Sequence, residues 1–161
     1  MTRPLIVGLY AALAIANATF TSVALSDAQA QHKSRVFENY PDGKLYSHNG
    51  SSVVINIHRG ILEIEYLFPR SELYGAGVDT GTILFEGAVD PNYAVSGTAY
   101  IFSRQCGEIS YYVAGSITPD LRVLRLSGSA PIVKDCRIVG TTNTGRNAKL
   151  VFLRDTRPVV E

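Results

Sequence analysis

The chain predicts an all-β fold, an antiparallel meander of eight to nine strands that curls into a small closed or nearly closed barrel with one disulfide. Three observations predict it. From Leu45 onward, short β-rich runs alternate with turn residues, and no stretch there keeps a helical period. Glycines recur inside or near the ends of these runs, at Gly87, Gly97, Gly115, Gly128 and Gly140. Interior glycine weakens a flat strand but permits the bends that a closing sheet needs. Cys106 and Cys136 form an even pair, which reads as a disulfide in an oxidising compartment. A sandwich or open curled sheet is the alternative; closure is favoured because it removes exposed strand edges.

Residues 1–30 read as a signal peptide. Arg3 precedes an apolar and small-residue run from Leu5 to Leu25, which ends in the small-x-small pattern Ala28-Gln29-Ala30. The run is long enough to span a bilayer as a retained anchor. Asn17, Thr19, Thr21 and Ser22 dilute it, so cleavage before Gln31 is the expectation, with no stable membrane span afterwards. Residues 31–44 are a polar, flexible lead-in, residues 45–156 the barrel-like domain, and residues 157–161 a C-terminal tail.

The strands follow in order. Asn49-Gly50 suits a type I′ turn, whose central residues both need positive φ, and it joins Lys44–His48 to Ser51–His58. A second two-residue turn at Arg59-Gly60 leads into Ile61–Phe68. This turn pairs His58 with Ile61, Asn56 with Glu63 and Val54 with Glu65. One face then carries Val53, Ile55, Ile57, Leu62, Ile64, Tyr66 and Phe68; the other carries Asn56, His58, Glu63 and Glu65, with Val54, Ile61 and Leu67 as apolar exceptions. A slip of one residue would mix the faces. Beyond the Gly-rich stretch Arg70–Gly81, further strands are expected at Thr82–Val89, Val95–Ser103, Ser110–Ile117, Leu121–Gly128, Arg137–Thr141 and Lys149–Arg154. Turns at Asp90-Pro91-Asn92, Arg104–Glu108, Thr118-Pro119-Asp120, Lys134-Asp135 and Asn143-Thr144-Gly145 separate them. Links this short require antiparallel pairing.

Charge and motif content narrow the function. Fifteen Lys and Arg against fourteen Asp and Glu leave +1, which gives no electrostatic case for nucleic acid or anionic lipid. Of the three histidines, His32 lies in the lead-in, while His48 and His58 end successive strands and stand roughly 23 Å apart at ~3.3 Å per residue. They cannot share a metal, and neither cysteine sits in a CxxC or beside a His, so no metal or cofactor is implied. Glu63 and Glu65 have the spacing of a glycosidase pair, but the register places them on the solvated face. No GxSxG elbow is present, and Gly75-Ala76-Gly77 lacks the remainder of a phosphate loop. No catalytic residue is assigned.

Two features suit binding instead. The Arg70–Gly81 connection exceeds ordinary hairpin length, which makes Arg70, Tyr74, Gly75 and Gly77 a candidate interaction loop; a plain solvated connection is the competing reading. Tyrosines are plentiful (Tyr46, Tyr66, Tyr74, Tyr93, Tyr100, Tyr111 and Tyr112) and suit a pocket or an interface, although half-buried strand positions explain them too. Arg104 and Arg137, close to the cysteines, are read as solvated.

The segments Ser47-His48-Asn49-Gly50-Ser51, Tyr66-Leu67-Phe68-Pro69-Arg70, Gly81-Thr82-Ile83-Leu84-Phe85-Glu86-Gly87, Gly97-Thr98-Ala99-Tyr100-Ile101-Phe102 and Cys136-Arg137-Ile138-Val139-Gly140 resemble a group of uncharacterised exported proteins of α-proteobacteria. The resemblance implies a Gram-negative, periplasmic or secreted setting and brings no activity. The leading expectation is a non-catalytic periplasmic binding or interaction domain, with a periplasmic protein as partner. The alternatives are a lipocalin-like carrier of a small apolar ligand, which needs a dry cavity of roughly several hundred Å³, and a hydrolase, which needs Glu63 or Glu65, His48 or His58, and a tyrosine in one cleft.

Overall fold

A computed structural model describes residues 43–156; the signal peptide, most of the lead-in and the C-terminal tail expected from the sequence lie outside these residues. The first two turns form as their sequences require. Asn49 and Gly50 take φ of 47° and 82°, and Arg59 and Gly60 take 51° and 81°. They link β1 (Lys44–His48), β2 (Ser51–His58) and β3 (Ile61–Phe68). β2 and β3 pair His58 with Ile61, Asn56 with Glu63 and Val54 with Glu65, the expected register. β1 begins at Lys44, as expected for the strand Lys44–His48.

The remaining elements are α1 (Ser71–Tyr74), β4 (Ile83–Val89), β5 (Ala94–Ser103), β6 (Gly107–Ile117), β7 (Val123–Ser127), β8 (Ala130–Lys134), β9 (Arg137–Thr142) and β10 (Lys149–Arg154). Eight strands close into an antiparallel barrel in the order β1-β10-β7-β6-β5-β4-β3-β2. Thus the barrel is a meander with one excursion: β8 and β9 form a separate two-stranded sheet between β7 and β10. Arg137–Thr141 is therefore not a barrel strand, and its partner Ala130–Lys134 was not expected as a strand at all. Pro131 explains the miss. It reads as a strand breaker, yet an isolated hairpin has free edges that tolerate a missing N–H. α1 is a single turn, too short to print a periodic pattern.

The disulfide forms between Cys106 and Cys136, with Cα atoms 5.0 Å apart. It fastens the β5–β6 turn to the tip of the β8–β9 hairpin, where Asp135 and Cys136 both have positive φ. Arg104 and Arg137 beside it are exposed.

Inward residues fill the barrel: Val53, Leu62, Ile64, Phe85, Leu124 and Phe152 are fully buried. Two expected members of the β2–β3 inward face depart from it. Ile57, at the end of β2 away from the β1–β2 turn, is 40% exposed. Phe68 is turned outward by a bulge: Val53 pairs with Tyr66 but Ser52 pairs with Phe68, so Leu67 is the extra residue. Two of the three apolar exceptions are also accounted for, because Val54 and Leu67 bury each other in a small second cluster with Leu45 and Phe68, while Ile61 is exposed.

Curvature is set where Gly87 of β4 faces Gly97 of β5. A Cβ on Gly97 would lie 2.3 Å from the Glu86 carbonyl oxygen and 2.5 Å from the Gly87 Cα. The side-chain-free pair also admits the end of the Phe85 ring, which turns sheet curvature directly into core packing. Among the described residues no helix is long and apolar enough to cross a membrane.

Candidate functional site

Antiparallel order brings one set of connections to the same end of the barrel. The β1–β2 turn, the Arg70–Gly81 connection, the β5–β6 turn and the segment before β10 all meet there, and the disulfide holds the accessory hairpin at that end. Between them lies a cavity of about 160 Å³. By the size of a water molecule it has room for roughly five small groups. Below it, buried side chains such as Val53, Ile64, Phe85 and Phe152 fill the barrel.

His48 forms one wall. Strand alternation in β1 turns Tyr46 and His48 inward and Ser47 outward. The His48 ring stacks on Phe152 with centroids 4.4 Å apart. A carbonyl can only accept, so Nδ1–H donates to the Val151 oxygen at 2.9 Å, leaving Nε2 to accept from the Asn49 amide at 3.0 Å. Burial lowers the pKa of His48; the Val151 hydrogen bond opposes this and the nearby Arg70 charge adds to it. The imidazole is a neutral, fully engaged packing group. It has no nitrogen free for proton transfer.

Two tyrosines complete the interior side. Tyr111 donates its hydroxyl proton to the Asn147 carbonyl. Tyr66 is only 5% exposed and meets Phe102 edge to face at 6.1 Å. Its hydroxyl has no hydrogen-bond partner among the described residues and borders the cavity. Burial pushes both phenols up to about 12, Arg70 counteracting it at Tyr66 and the neighbouring Tyr66 adding to it at Tyr111. Both therefore remain protonated donors at neutral pH.

Arg70 leans over this group. Its backbone N–H donates to the buried Ser51 hydroxyl at 2.9 Å, and its guanidinium donates to the Asn49 carbonyl at 3.0 Å. Its Nε lies 3.6 Å from the exposed Glu72 carboxylate. Arg146, beside the same cavity, is exposed and has no ion-pair partner among the described residues. Among the described residues no acidic side chain lines the cavity. The mouth thus offers excess positive charge, one unused hydroxyl donor and apolar walls from Leu73, Leu84 and Phe102.

Of the candidate interaction loop, only Arg70 reaches the cavity. Tyr74, on α1, is 54% exposed; Gly75 follows α1, and Gly77 takes φ of 82°. The connection is not a loose tether: Val78 is buried in the core, and Thr80 donates its hydroxyl to the Leu67 carbonyl at 2.8 Å. The hydrolase constellation is not assembled. Glu63 and Glu65 lie on the outer wall, His58 is exposed at the opposite end of β2, and His48 is inside the mouth. A hydrogen bond shared with Glu65 raises the Glu63 pKa, helped by burial and by the Glu65 and Glu86 charges. Glu86 in turn accepts the Tyr100 hydroxyl, which pushes that phenol up to about 12. Sequence reasoning did not single out the role of His48 or Arg146; the alternation Tyr46-Ser47-His48 was the available signal for the first, and nothing local marks the second.

No family model matches the chain, and no curated protein or solved structure matches it.

Proposed function

We propose that this chain is a non-catalytic binding domain, periplasmic or secreted, that engages a partner protein through the loop-bearing mouth of its barrel. The observation that carries the reading is the clamping of the Arg70–Gly81 connection. Val78 in the core and the Ser51 and Leu67 hydrogen bonds hold α1 in place, so Arg70 and Tyr74 are displayed on a fixed support. A preformed surface loses little conformational entropy on binding, and exposed Tyr and Arg are the residue types that dominate interface energetics. The accessory hairpin adds Ile132, Ile138 and Val139, which are 46%, 61% and 61% exposed, at the same end. The disulfide and the signal-like residues 1–30 support an oxidising, exported location, as does the resemblance to exported proteins.

The test is affinity capture from periplasmic extract with the mature chain, beside Tyr74→Ser, Arg70→Gln and the outer-wall control Val151→Thr. A specific partner retained by the wild type and the control, and released by both mouth variants, is the expected result. No partner under several growth conditions, or equal capture by every variant, would overturn the reading.

A further inference from the structure

We infer that the mouth cavity is a carboxylate pocket, in which Tyr66 and Arg70 receive one carboxylate borne on a short apolar or aromatic stem that lies against Leu73, Leu84 and Phe102. This rests on the reading of the mouth as the working surface and adds the chemistry it recognises.

The unused hydroxyl is the starting point. The Tyr66 ring is buried, but its hydroxyl is not sealed from solvent, because among the described residues no buried side-chain polar atom lacks a partner; it is open to whatever enters the cavity. Tyr66 is 5% exposed as a residue and lines the cavity, and its hydroxyl pairs with no described residue, whereas the Tyr111 hydroxyl beside it is satisfied by Asn147. A phenol held in its protonated form asks for an acceptor. Neutral His48 cannot supply one, because the Asn49 amide already occupies its remaining lone pair.

Charge then selects among acceptors. Arg70 spends one donor on the Asn49 carbonyl and contacts Glu72 at 3.6 Å, and the Glu72 side chain is 74% exposed, so that pair neutralises it poorly. Among the described residues Arg146 adds a second cation without an ion-pair partner, and no carboxylate lines the cavity to oppose an incoming anion. One phenol and one partly engaged guanidinium match a two-oxygen monoanion. A phosphate dianion would need more donors than the walls supply. The cavity of about 160 Å³ exceeds a bare carboxylate, and its remaining walls are aliphatic or aromatic, which calls for an apolar stem.

The shared chemistry can come from a partner's C-terminal residue or from a free small acid, and the arms of one titration separate them. The mature chain is titrated by NMR with phenylacetate, phenylacetamide, N-acetyl-Gly-Phe acid and its C-terminal amide. The acids are expected to produce saturable shifts confined to Tyr66, Arg70, Leu73 and Phe102, with each amide weaker by roughly tenfold or more. Tyr66→Phe and Arg70→Gln should each weaken the acids several-fold. Tyr66→Phe removes no hydrogen bond, so its folding transition should match the wild type and keep the comparison interpretable. Preference for the peptide acid assigns the pocket to a chain end; preference for phenylacetate assigns it to a free acid. Equal binding of acid and amide, shifts mapping elsewhere, or no saturation at millimolar acid overturns the carboxylate pocket. If Tyr74-dependent partner capture survives that result, the interaction reading stands without it. If the acids bind while capture ignores both Arg70 and Tyr74, the pocket stands and the interaction reading falls.

Discussion

Replacing both Cys106 and Cys136 by Ser should destabilise the barrel and release the accessory hairpin as two separable effects. The bond closes a segment with a sequence separation of 30 residues. In the chain-entropy model that constrains the unfolded state by about 3.5–4 kcal/mol. The native side returns part of this. The hairpin tip at Asp135–Cys136 is exposed, β9 is exposed along most of its length, and burial is concentrated at Ala130 and Pro131 at the base. A two-stranded hairpin without a covered face is marginal in water, so without its bond the tip swings free and gains entropy in the folded state as well. The expected net loss is therefore about 3 kcal/mol, or a fall in Tm on the order of 10–20 °C for a domain of this size. Urea unfolding of oxidised wild type and the double variant measures the first effect; native-state hydrogen exchange measures the second. Amides of β8 and β9 should exchange through local opening in the variant, while β5 and β6 amides follow the global transition. A loss below about 1 kcal/mol, with hairpin protection unchanged, would refute the reasoning, since the tip would then be held by packing.

Three further outcomes follow from the geometry. Gly97→Ala drives a Cβ to 2.3 Å from a backbone oxygen and should cost at least ~1–3 kcal/mol in urea unfolding; a variant within about 0.5 kcal/mol of wild type would show that the strands can separate. His48 has a folded pKa below its unfolded value of 6.5, so its contribution is complete above that pH and is lost as pH falls through the depressed folded value. His48→Gln should flatten the pH dependence of stability in that window, and an unchanged slope would exclude His48 as its source. Glu63 has the opposite sign for stability: its raised pKa means that the Glu63–Glu65–Glu86 crowding is relieved at acid pH and is unfavourable once pH rises through the raised value. Glu63→Gln should stabilise the neutral-pH protein by a few tenths of a kcal/mol, up to ~1 kcal/mol, the scale of cross-strand pairs, with the gain fading towards pH 4; destabilisation at pH 7 would contradict it.

Local chemistry made much of this fold legible from the sequence. The positive-φ preference of Asn49-Gly50 fixed one turn, and the two-residue alternation of Ser51–Phe68 selected the turn at Arg59-Gly60, where Arg is not a favoured positive-φ residue, and with it the register between the strands. Both signals act over a few residues, where backbone sterics and the side-chain period leave one consistent solution. The cysteine pair declared itself because the chain contains no other partner for either thiol. What failed was also local in kind: Pro131 concealed β8, and one inserted residue at Leu67 moved Phe68 to the outer face.

Closure and the site were decided elsewhere. β1 pairs with β10 more than a hundred residues away, as Tyr46 with Arg154. That pairing brings His48 onto Phe152 and places Arg146 beside the same cavity as Arg70. No spacing along the chain encodes such neighbours, because they follow from the closed path of the sheet. The sequence by itself determined most of the strands, most of their turns and the covalent cross-link; only the tertiary structure decided which of those strands closed on one another, and so which hydroxyl was left facing a cavity.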